Sequence, residues 1–188
     1  MHKYLYLEKT SWADTWIKGG NVPLKLASTY LSAERSGTST PDENLIYDSP
    51  IDINSLSGIC IGNVKNLTIG SFVIDGKFTP GVKDVSMYHE DGVVLCLSNR
   101  FDLGICKKLG KSVCVKITDI DKLKQSLDRQ IGLVGLAGAC KYTDDHRRNH
   151  FLKSGRDRWQ DEYRLFWKIK NSVEVDIPAG IAELVDLA

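Results

Sequence analysis

The sequence predicts an α+β domain built on antiparallel sheets. Runs typical of short strands, each bounded by Gly, Asn or Asp, number about seven or eight along the chain. Two helical patterns of substance and one short one accompany them, and no internal repeat is present. The chain has 188 residues. That length is enough for a sizeable core, so we expect residues 1–188 to form a single domain.

The first half of the chain opens with an alternating, aromatic-rich strand followed by an amphipathic helix. Trp12 and Trp16 are four residues apart on this helix, which places both on one face as core anchors. Gly19 and Gly20 follow and are typical of a helix end. The predicted elements are a strand at 3–8, a helix at 11–18, a shorter strand at 22–28, a polar loop at 32–44 and strands at 58–64 and 67–76.

The second half of the chain combines further strands with one well-defined helix. Ile120, Leu123 and Leu127 form an apolar stripe at helical spacing, which predicts a helix over residues 119–130. The other predicted elements are strands at 93–99 and 112–120, a buried glycine-dotted strand at 133–143, a short basic helix at 144–154, an aromatic strand that ends near residue 169 and a final piece at 173–187 that Pro178 divides.

The composition is that of an ordinary globular protein, with 42% hydrophobic and 26% charged residues. A formal net charge of +1 argues neither for nor against a nucleic-acid partner, so local clusters must decide that question. The sequence shows no secretory signal and no apolar run of membrane-spanning length. We therefore expect a cytoplasmic protein that has no membrane partner.

The cysteines and histidines show no pattern typical of a metal site. The cysteines are odd in number and lack C-x-x-C spacing, which argues against zinc and thioredoxin-like chemistry. They are Cys60, Cys96, Cys106, Cys114 and Cys140, and the first, second and fourth lie in apolar runs where we expect small buried residues. His146 and His150 are four residues apart, but no Glu lies between them in the metalloprotease pattern. We expect no metal.

The aromatic strand near the C-terminus carries an unexpected pair of polar side chains. Alternation places Tyr163, Leu165 and Trp167 on a core face. Gln160 and Glu162 then lie about 7 Å apart on the opposite face, where an amide and a carboxylate can reach the same ligand. An exposed strand with scattered polar residues explains the same pattern, and periodicity alone favours that simpler interpretation.

Two segments carry a resemblance to a known family. They are the opening "KYLYLEKTSWADTWIKGGNVPLKLASTYLSAERSGTSTPDEN" and the ending "FLKSGRDRWQDEYRLFW" with "VEVDIPAGIAELVDL". Together they resemble divergent bacterial mono-ADP-ribosyltransferases, a toxin-like group that includes the mRNA-modifying toxin of a toxin–antitoxin–chaperone anti-phage system. The resemblance covers roughly the first 45 and the last 40 residues. It implies split antiparallel β-sheets with flanking helices, NAD as a substrate, and an antitoxin or chaperone protein as a partner.

The resemblance also implies catalytic roles. Glu162 matches the catalytic glutamate near the start of a late strand, and Gln160 matches the residue two positions before it. Breaking the bond between nicotinamide and ribose builds positive charge on the sugar, and a carboxylate held against a ribose hydroxyl stabilises that charge. Gln160 would hold the acceptor. The early Arg and the His-Gly version of the family's first motif are both absent from this chain.

Further residues are implied to bind NAD. Tyr4 and Tyr6 would hold the nicotinamide or its ribose, Ser28 and Tyr30 would pack on the nicotinamide, and Arg35 would meet the pyrophosphate. Each has a simpler explanation, since tyrosines often lie half-buried in strands and a loop arginine is often a surface residue. The glycines at 62, 70 and 76 do not make a dinucleotide fingerprint, which agrees with NAD as a substrate rather than a redox cofactor.

A basic segment precedes the proposed catalytic strand. Its cations are Arg147, Arg148, Lys153, Arg156 and Arg158. They would flank the cleft and bind the phosphates of a nucleic acid, or they would form a solvated basic helix, and both interpretations stay open. The favoured function is transfer of ADP-ribose to nucleic acid, with RNA preferred. An NAD glycohydrolase and a catalytically inactive nucleic-acid-binding module are the alternatives.

Overall fold

A computed structural model of the chain describes residues 1–31, 44–56, 62–74 and 76–186. It is a mixed α+β structure in which most strand pairs are antiparallel. The α-helices are α1 (Thr10–Lys18), α2 (Leu103–Lys108) and α3 (Ile120–Ile131), and short 3₁₀ helices span Ala27–Leu31, Ile53–Ser55 and Gly155–Gln160. Within the described ranges, no helix has the length and apolar character needed to cross a bilayer.

The strands form one large sheet and several small ones. They are β1 (Lys3–Leu7), β2 (Gly20–Leu24), β3 (Leu45–Asp48), β4 (Val64–Ile69), β5 (Phe72–Ile74), β6 (Lys77–Thr79), β7 (Val82–His89), β8 (Val93–Ser98), β9 (Val113–Ile117), β10 (Leu136–Ala139), β11 (Lys141–Thr143), β12 (Leu152–Ser154), β13 (Glu162–Trp167), β14 (Val173–Ile177) and β15 (Ala182–Val185). The large sheet has the order β10-β13-β8-β1-β9-β15 and is antiparallel throughout.

One face of the large sheet carries the main core. Leu165 and Trp167 of β13 are fully buried in it, and Tyr163 packs against it, which confirms the predicted core face of this strand. Leu5 and Leu7 of β1 belong to the same cluster. The opposite face of β1 and β13 therefore carries the alternate residues, and the candidate site lies on that side.

The main helix has the boundaries that its sequence predicts. The Asp119 side chain accepts hydrogen bonds from the N–H groups of Asp121 and Lys122, which begins α3. Gly132 ends it in the left-handed conformation with φ of 74°. The predicted stripe packs inward, with Ile120, Leu123 and Leu127 all buried. Burial of this stripe is what stabilises the helix, because short helices are marginal alone.

The large sheet is divided near its middle. Within the described residues, β1 and β8 pair at one position, Tyr4 with Ser98. On its other edge β1 pairs with β9 along Lys3–Leu7, and β8 pairs with β13 along Val93–Ser98. The chain after β2 joins the start of β8, where Val94 N–H donates to the Lys25 carbonyl at 3.2 Å. An opening therefore lies between β1, β2 and β8.

Several predictions of local structure are wrong. Residues 144–154 form turns and strand β12 rather than a basic helix. Residues 133–143 form two short strands, and β10 is an exposed edge strand rather than a buried one. Trp16 is buried as predicted, but Trp12 is 45% exposed. Helix α2 was not predicted, because its six residues are too few to show a period.

Other predictions are refined or lie outside the described residues. The predicted strand at 67–76 is interrupted at Gly70 and contributes to both β4 and β5. The strand at 22–28 ends at Leu24, and a 3₁₀ helix follows from Ala27. Most of the predicted loop at 32–44 and most of the predicted strand at 58–64, including Cys60, lie outside the described residues. Cys114 is fully buried as predicted, and Cys96 is half-buried.

Candidate functional site

A cleft of about 600 Å³ occupies the division of the large sheet. Consecutive residues of β1, from Tyr4 to Leu7, and of β8, from Val94 to Ser98, line it. Successive side chains of a strand point to opposite faces, so a cavity lined by consecutive residues lies against the strand edges. The cleft also touches β2, α1 and a set of polar residues: Lys25, Tyr30, Lys111, Lys153, Gln160, Glu162 and Arg164.

Three residues form a row across the middle of the sheet at one end of this cleft. Ser98 of β8 pairs with Tyr4 of β1 on one side and with Glu162 of β13 on the other. Paired residues of neighbouring strands point to the same face. Since adjacent strands are about 4.8 Å apart, the backbones of Tyr4 and Glu162 lie about 10 Å from each other. The row places the carboxylate beside the first strand.

The carboxylate of Glu162 is buried and held by two cations. Oε1 accepts a hydrogen bond from Arg164 Nε at 2.5 Å, and Oε2 accepts one from Lys153 Nζ at 2.7 Å. The residue is 4% exposed. Burial alone would raise the pKa of Glu162, but the charges of Arg164 and Lys153 outweigh it and hold this pKa well below its usual value. The side chain is therefore ionised at neutral pH.

The side chain of Gln160 also lies beside Lys153, but its backbone is not part of the strand that the alternation pattern predicted. It ends the 3₁₀ helix Gly155–Gln160 and is not part of β13, so the predicted pairing on one strand face is wrong. Asp161 adopts a left-handed conformation with φ of 44° between the two elements. The Gln160 side chain nevertheless turns toward the site, where its Oε1 accepts a hydrogen bond from Lys153 Nζ at 2.8 Å.

Lys153 is the residue that joins the amide and the carboxylate. It was predicted to lie on a phosphate-binding surface, but it is 4% exposed and bonds to both Gln160 and Glu162. Strand β12 positions it by pairing in parallel with β11, where Tyr142 is opposite Lys153. The Tyr142 hydroxyl in turn accepts the N–H of Glu162 at 2.8 Å, which sets the start of β13 beside this small sheet.

Sequence reasoning did not single out Arg164, and it placed Lys153 among the phosphate-binding cations beside the cleft rather than in contact with Glu162. A signal for Arg164 was present, because the strand alternation places it on the same face as Glu162. The guanidinium also donates to the His150 carbonyl at 2.9 Å, which fixes its orientation. No local signal identifies Lys153, since its position depends on the pairing of β11 with β12.

The two predicted tyrosines of β1 both line the cleft but differ in what they contact. The hydroxyl of Tyr6 accepts the N–H of Asp102 at 2.8 Å and lies 3.2 Å from the Arg100 carbonyl, so it holds the loop before α2. Burial raises the pKa of Tyr6 to about 12, so its phenol stays neutral. Tyr4 is half-buried beside Phe101, with ring centroids 6.0 Å apart.

The remaining predicted NAD contacts have different positions. Tyr30 lines the cleft and packs against the small cluster that contains Val94 and Phe166. Ser28 lies away from the cleft lining, because its hydroxyl and its N–H both donate to the Asp91 carboxylate. Arg35 lies outside the described residues.

The basic segment is a turn-rich surface beside the site. Arg156 and Arg158 are exposed on the 3₁₀ helix that ends at Gln160. Arg147 is exposed and pairs with Asp145 at 2.7 Å, and the half-buried Arg148 donates to the Asp145 carbonyl at 2.6 Å. These four arginines are therefore at the surface, whereas Lys153, the fifth predicted cation, is buried in the site.

The two histidines of this segment do not come together. His146 Nε2 contacts the Ser49 carbonyl at 3.0 Å, and the His150 ring stacks on Phe166 with centroids 3.7 Å apart. Over the part of the chain that the structure describes, no group of three or more His, Cys, Asp or Glu side chains is arranged to hold a metal ion.

The arrangement is thus a cleft between two halves of a divided sheet. One end carries a buried, ionised carboxylate with an amide beside it and two tyrosines across the strands. Such a group can stabilise positive charge that develops on a bound molecule. Comparison of the chain with protein-family models, curated proteins and solved structures returned no significant match.

Proposed function

We propose that this protein transfers ADP-ribose from NAD to a macromolecular acceptor and releases nicotinamide. The observation that carries the proposal is the position of Glu162, a buried carboxylate kept ionised at the end of a cleft that passes between β1 and β8. An ionised carboxylate in a cleft of this size is an uncommon and chemically useful group. The resemblance of the two chain ends to mono-ADP-ribosyltransferases names the substrate.

The chemistry requires stabilisation of a sugar cation. The bond between the nicotinamide nitrogen and the anomeric carbon of ribose breaks, and its electron pair leaves with nicotinamide. The acceptor then forms a bond to that carbon and loses its proton. The Glu162 carboxylate accepts short hydrogen bonds from Lys153 and Arg164 Nε and a longer one from Arg164 Nη2 at 3.4 Å. A ribose hydroxyl that donates to Glu162 would replace the longest of these contacts. Lys153 and Arg164 would keep the carboxylate oriented during this step.

The divided sheet supplies groups that fit the nicotinamide end of the substrate. Beyond the pair formed by Tyr4 and Ser98, the facing edges of β1 and β8 border the cleft. A strand edge presents alternating backbone donors and acceptors. The carboxamide of nicotinamide has one donor group and one acceptor, so it is complementary to such an edge. The ring of Tyr4 would cover the nicotinamide or its ribose.

The acceptor would approach from the side of the basic segment. Gln160 lies next to Glu162 through their shared contact with Lys153, and the exposed Arg156 and Arg158 precede it on the same 3₁₀ helix. Guanidinium groups match phosphate geometry. Nucleic acid, with RNA preferred, is therefore the proposed acceptor, and the two arginines would position its backbone.

A toxin in bacterial defence is the biological role that the resemblance supports. A toxin of this kind needs a neutralising partner, so an antitoxin or chaperone protein is proposed to bind it. Because all proposed substrates are found inside the cell, we place the protein in the cytoplasm.

A catalytically inactive binding module is the second candidate, and one observation favours it. The Glu162 carboxylate already bonds to two buried cations, as it would in an ion pair that serves structure alone. An NAD glycohydrolase would use the same cleft with water as the acceptor. The three functions differ in their products, so they can be separated directly.

The test is incubation of the purified protein with NAD that carries a label on its ADP-ribose part. Separate reactions contain RNA, DNA, protein or no acceptor. Label on RNA supports the proposal, free ADP-ribose that is unaffected by RNA indicates a glycohydrolase, and intact NAD in every reaction indicates a binding module. Glu162→Asp, which keeps the charge but shortens its reach, should remove the transfer and serves as the matched control.

A further inference from the structure

Trp12 is the most unusual residue of the cleft outside the proposed catalytic end. It is a large aromatic side chain that is 45% exposed, although Trp16, one helical turn later, is 4% exposed in the main core. Trp12 lines the cleft. An exposed tryptophan costs solubility and adds little to packing, so its place at a cleft mouth indicates contact with a ligand.

Trp12 lies at the end of the cleft that is opposite Glu162. Tyr4, in the row with Glu162, is near the start of β1, and Leu7 is three residues further along, a distance of about 10 Å. Helix α1 follows β1 in the chain, begins at Thr10 and carries Trp12 in its first turn. A ligand that reaches both ends must therefore be long, with two separate parts that are recognised independently.

The cations near the Trp12 end of the cleft are those that an anionic ligand requires. Lys25 and Lys111 both line the cleft. Lys111 is paired with Glu8 at 2.6 Å, whereas Lys25 forms no ion pair within the described residues and is exposed. Lys9 Nζ lies 5.6 Å from the centre of the Trp12 ring. Glu8 also lines the cleft and is balanced by its pairing with Lys111, so Lys9 and Lys25 leave an excess of positive charge near Trp12.

We propose that the Trp12 end of the cleft is an adenine-nucleotide subsite, in which Trp12 stacks on the adenine ring and Lys25 contacts the adjoining pyrophosphate. The ligand class follows from the combination of an exposed aromatic face with an unpaired cation. The inference rests on the proposed function in one respect, that the molecule extending to Glu162 is NAD. Stacking on Trp12 would then hold the half of NAD that remains on the acceptor.

Calorimetric titration of the full chain tests the subsite. The ligands are ADP-ribose, which contains the adenine, and nicotinamide mononucleotide, which contains the reacting half of NAD without it. The proteins are the wild type, Trp12→Ala, Trp12→Phe and the control Phe78→Ala, which removes another exposed aromatic ring outside the cleft. Circular dichroism verifies that each variant is folded.

Trp12→Ala should weaken ADP-ribose binding about 5- to 100-fold, because stacking of a base on an aromatic ring contributes that much affinity. Its binding of nicotinamide mononucleotide should be unchanged. Trp12→Phe should keep most of the affinity, and Phe78→Ala should behave as the wild type. Lys25→Gln should weaken ADP-ribose binding and make it less sensitive to salt.

Two results overturn the subsite in different ways. If Trp12→Ala binds ADP-ribose as the wild type does, the subsite is wrong while the proposed transfer stands. A loss of RNA modification in the same variant would then assign Trp12 to binding of the acceptor. If the wild type binds neither ligand, both the subsite and the use of NAD are wrong.

Discussion

Lys153 Nζ lies 2.7 Å from Glu162 Oε2 and 2.8 Å from Gln160 Oε1, so one buried ammonium joins the two side chains proposed for catalysis. The three residues come from three elements, namely β12, the 3₁₀ helix Gly155–Gln160 and the start of β13. The Lys153 ammonium fixes the amide oxygen of Gln160, and together with Arg164 it fixes the carboxylate of Glu162.

Removal of the Glu162 charge should abolish turnover. Glu162→Gln keeps the volume of the side chain but cannot stabilise a ribose cation, so the rate of NAD cleavage should fall by about 10²–10³ or more. Initial rates of nicotinamide release measure the effect. A variant that retains wild-type turnover would exclude Glu162 as the catalytic carboxylate.

Loss of Lys153 should change the pH dependence of the reaction. Its charge helps to lower the pKa of Glu162, so Lys153→Met should raise this pKa toward its ordinary value or above it. Glu162 would then become protonated at a higher pH, and the acidic limb of the rate profile should move upward. Lys141→Met, which alters an exposed lysine of the neighbouring strand β11, is the control. Identical acidic limbs in wild type and Lys153→Met would contradict the role assigned to the contact.

The two tyrosines of β1 should have separable effects. Tyr6→Phe leaves the partly buried N–H of Asp102 without its acceptor, which should lower the free energy of unfolding by about 0.5–1.5 kcal/mol. Its KM for NAD should change little. Tyr4→Ala should instead raise the KM, with Tyr4→Phe close to the wild type because the ring is retained. Chemical denaturation and steady-state kinetics measure the two effects, and an unchanged KM in Tyr4→Ala would remove this residue from the site.

The exposed arginines beside Gln160 should affect the acceptor and not NAD. Replacement of Arg156 and Arg158 by Gln should reduce the modification of RNA and weaken its dependence on salt, since each phosphate contact contributes about one unit to the slope. Cleavage of NAD without RNA should be unaffected. Replacement of Lys122 and Arg129 on α3 removes the same charge from another surface and is the matched control. Equal losses in both double variants would indicate a general charge effect.

Acid should destabilise the protein through one buried and two half-buried carboxylates. Burial alone would raise the pKa values of Glu162, Asp128 and Glu90, but their hydrogen bonds and cation partners outweigh it and lower all three. A carboxylate whose pKa is lower in the folded state than in the unfolded state stabilises the folded state. This stabilisation is complete at pH values above the unfolded pKa, which is near 4 to 4.5, and it is lost as the pH falls. The melting temperature should therefore drop steeply below about pH 5. Asp128→Asn, which retains a side chain able to contact Trp167, should show a shallower drop, and a slope equal to that of the wild type would contradict the assignment of Asp128.

The sequence identified several of the residues that the cleft brings together. Glu162, Gln160, Tyr4, Tyr6 and Tyr30 were all singled out, and all line it. Strand alternation and the resemblance proposed for the two chain ends were enough for this, because both rest on local patterns. The prediction that Gln160 and Glu162 share one face of a strand was wrong, since Asp161 in the left-handed conformation separates Gln160 from β13.

Local periodicity by itself determined which residues of α3 and β13 enter the core. The stripe on α3 and the inward face of β13 are set by the 3.6- and two-residue periods of helix and strand, and both are as predicted. The tertiary structure alone decided where the strands diverge and that Lys153 is buried beside Glu162. It also decided that Trp12 is exposed at the cleft while Trp16 is buried in the core. These outcomes depend on pairing between segments far apart in the chain, such as β1 with β8, and no short stretch of sequence encodes such a contact.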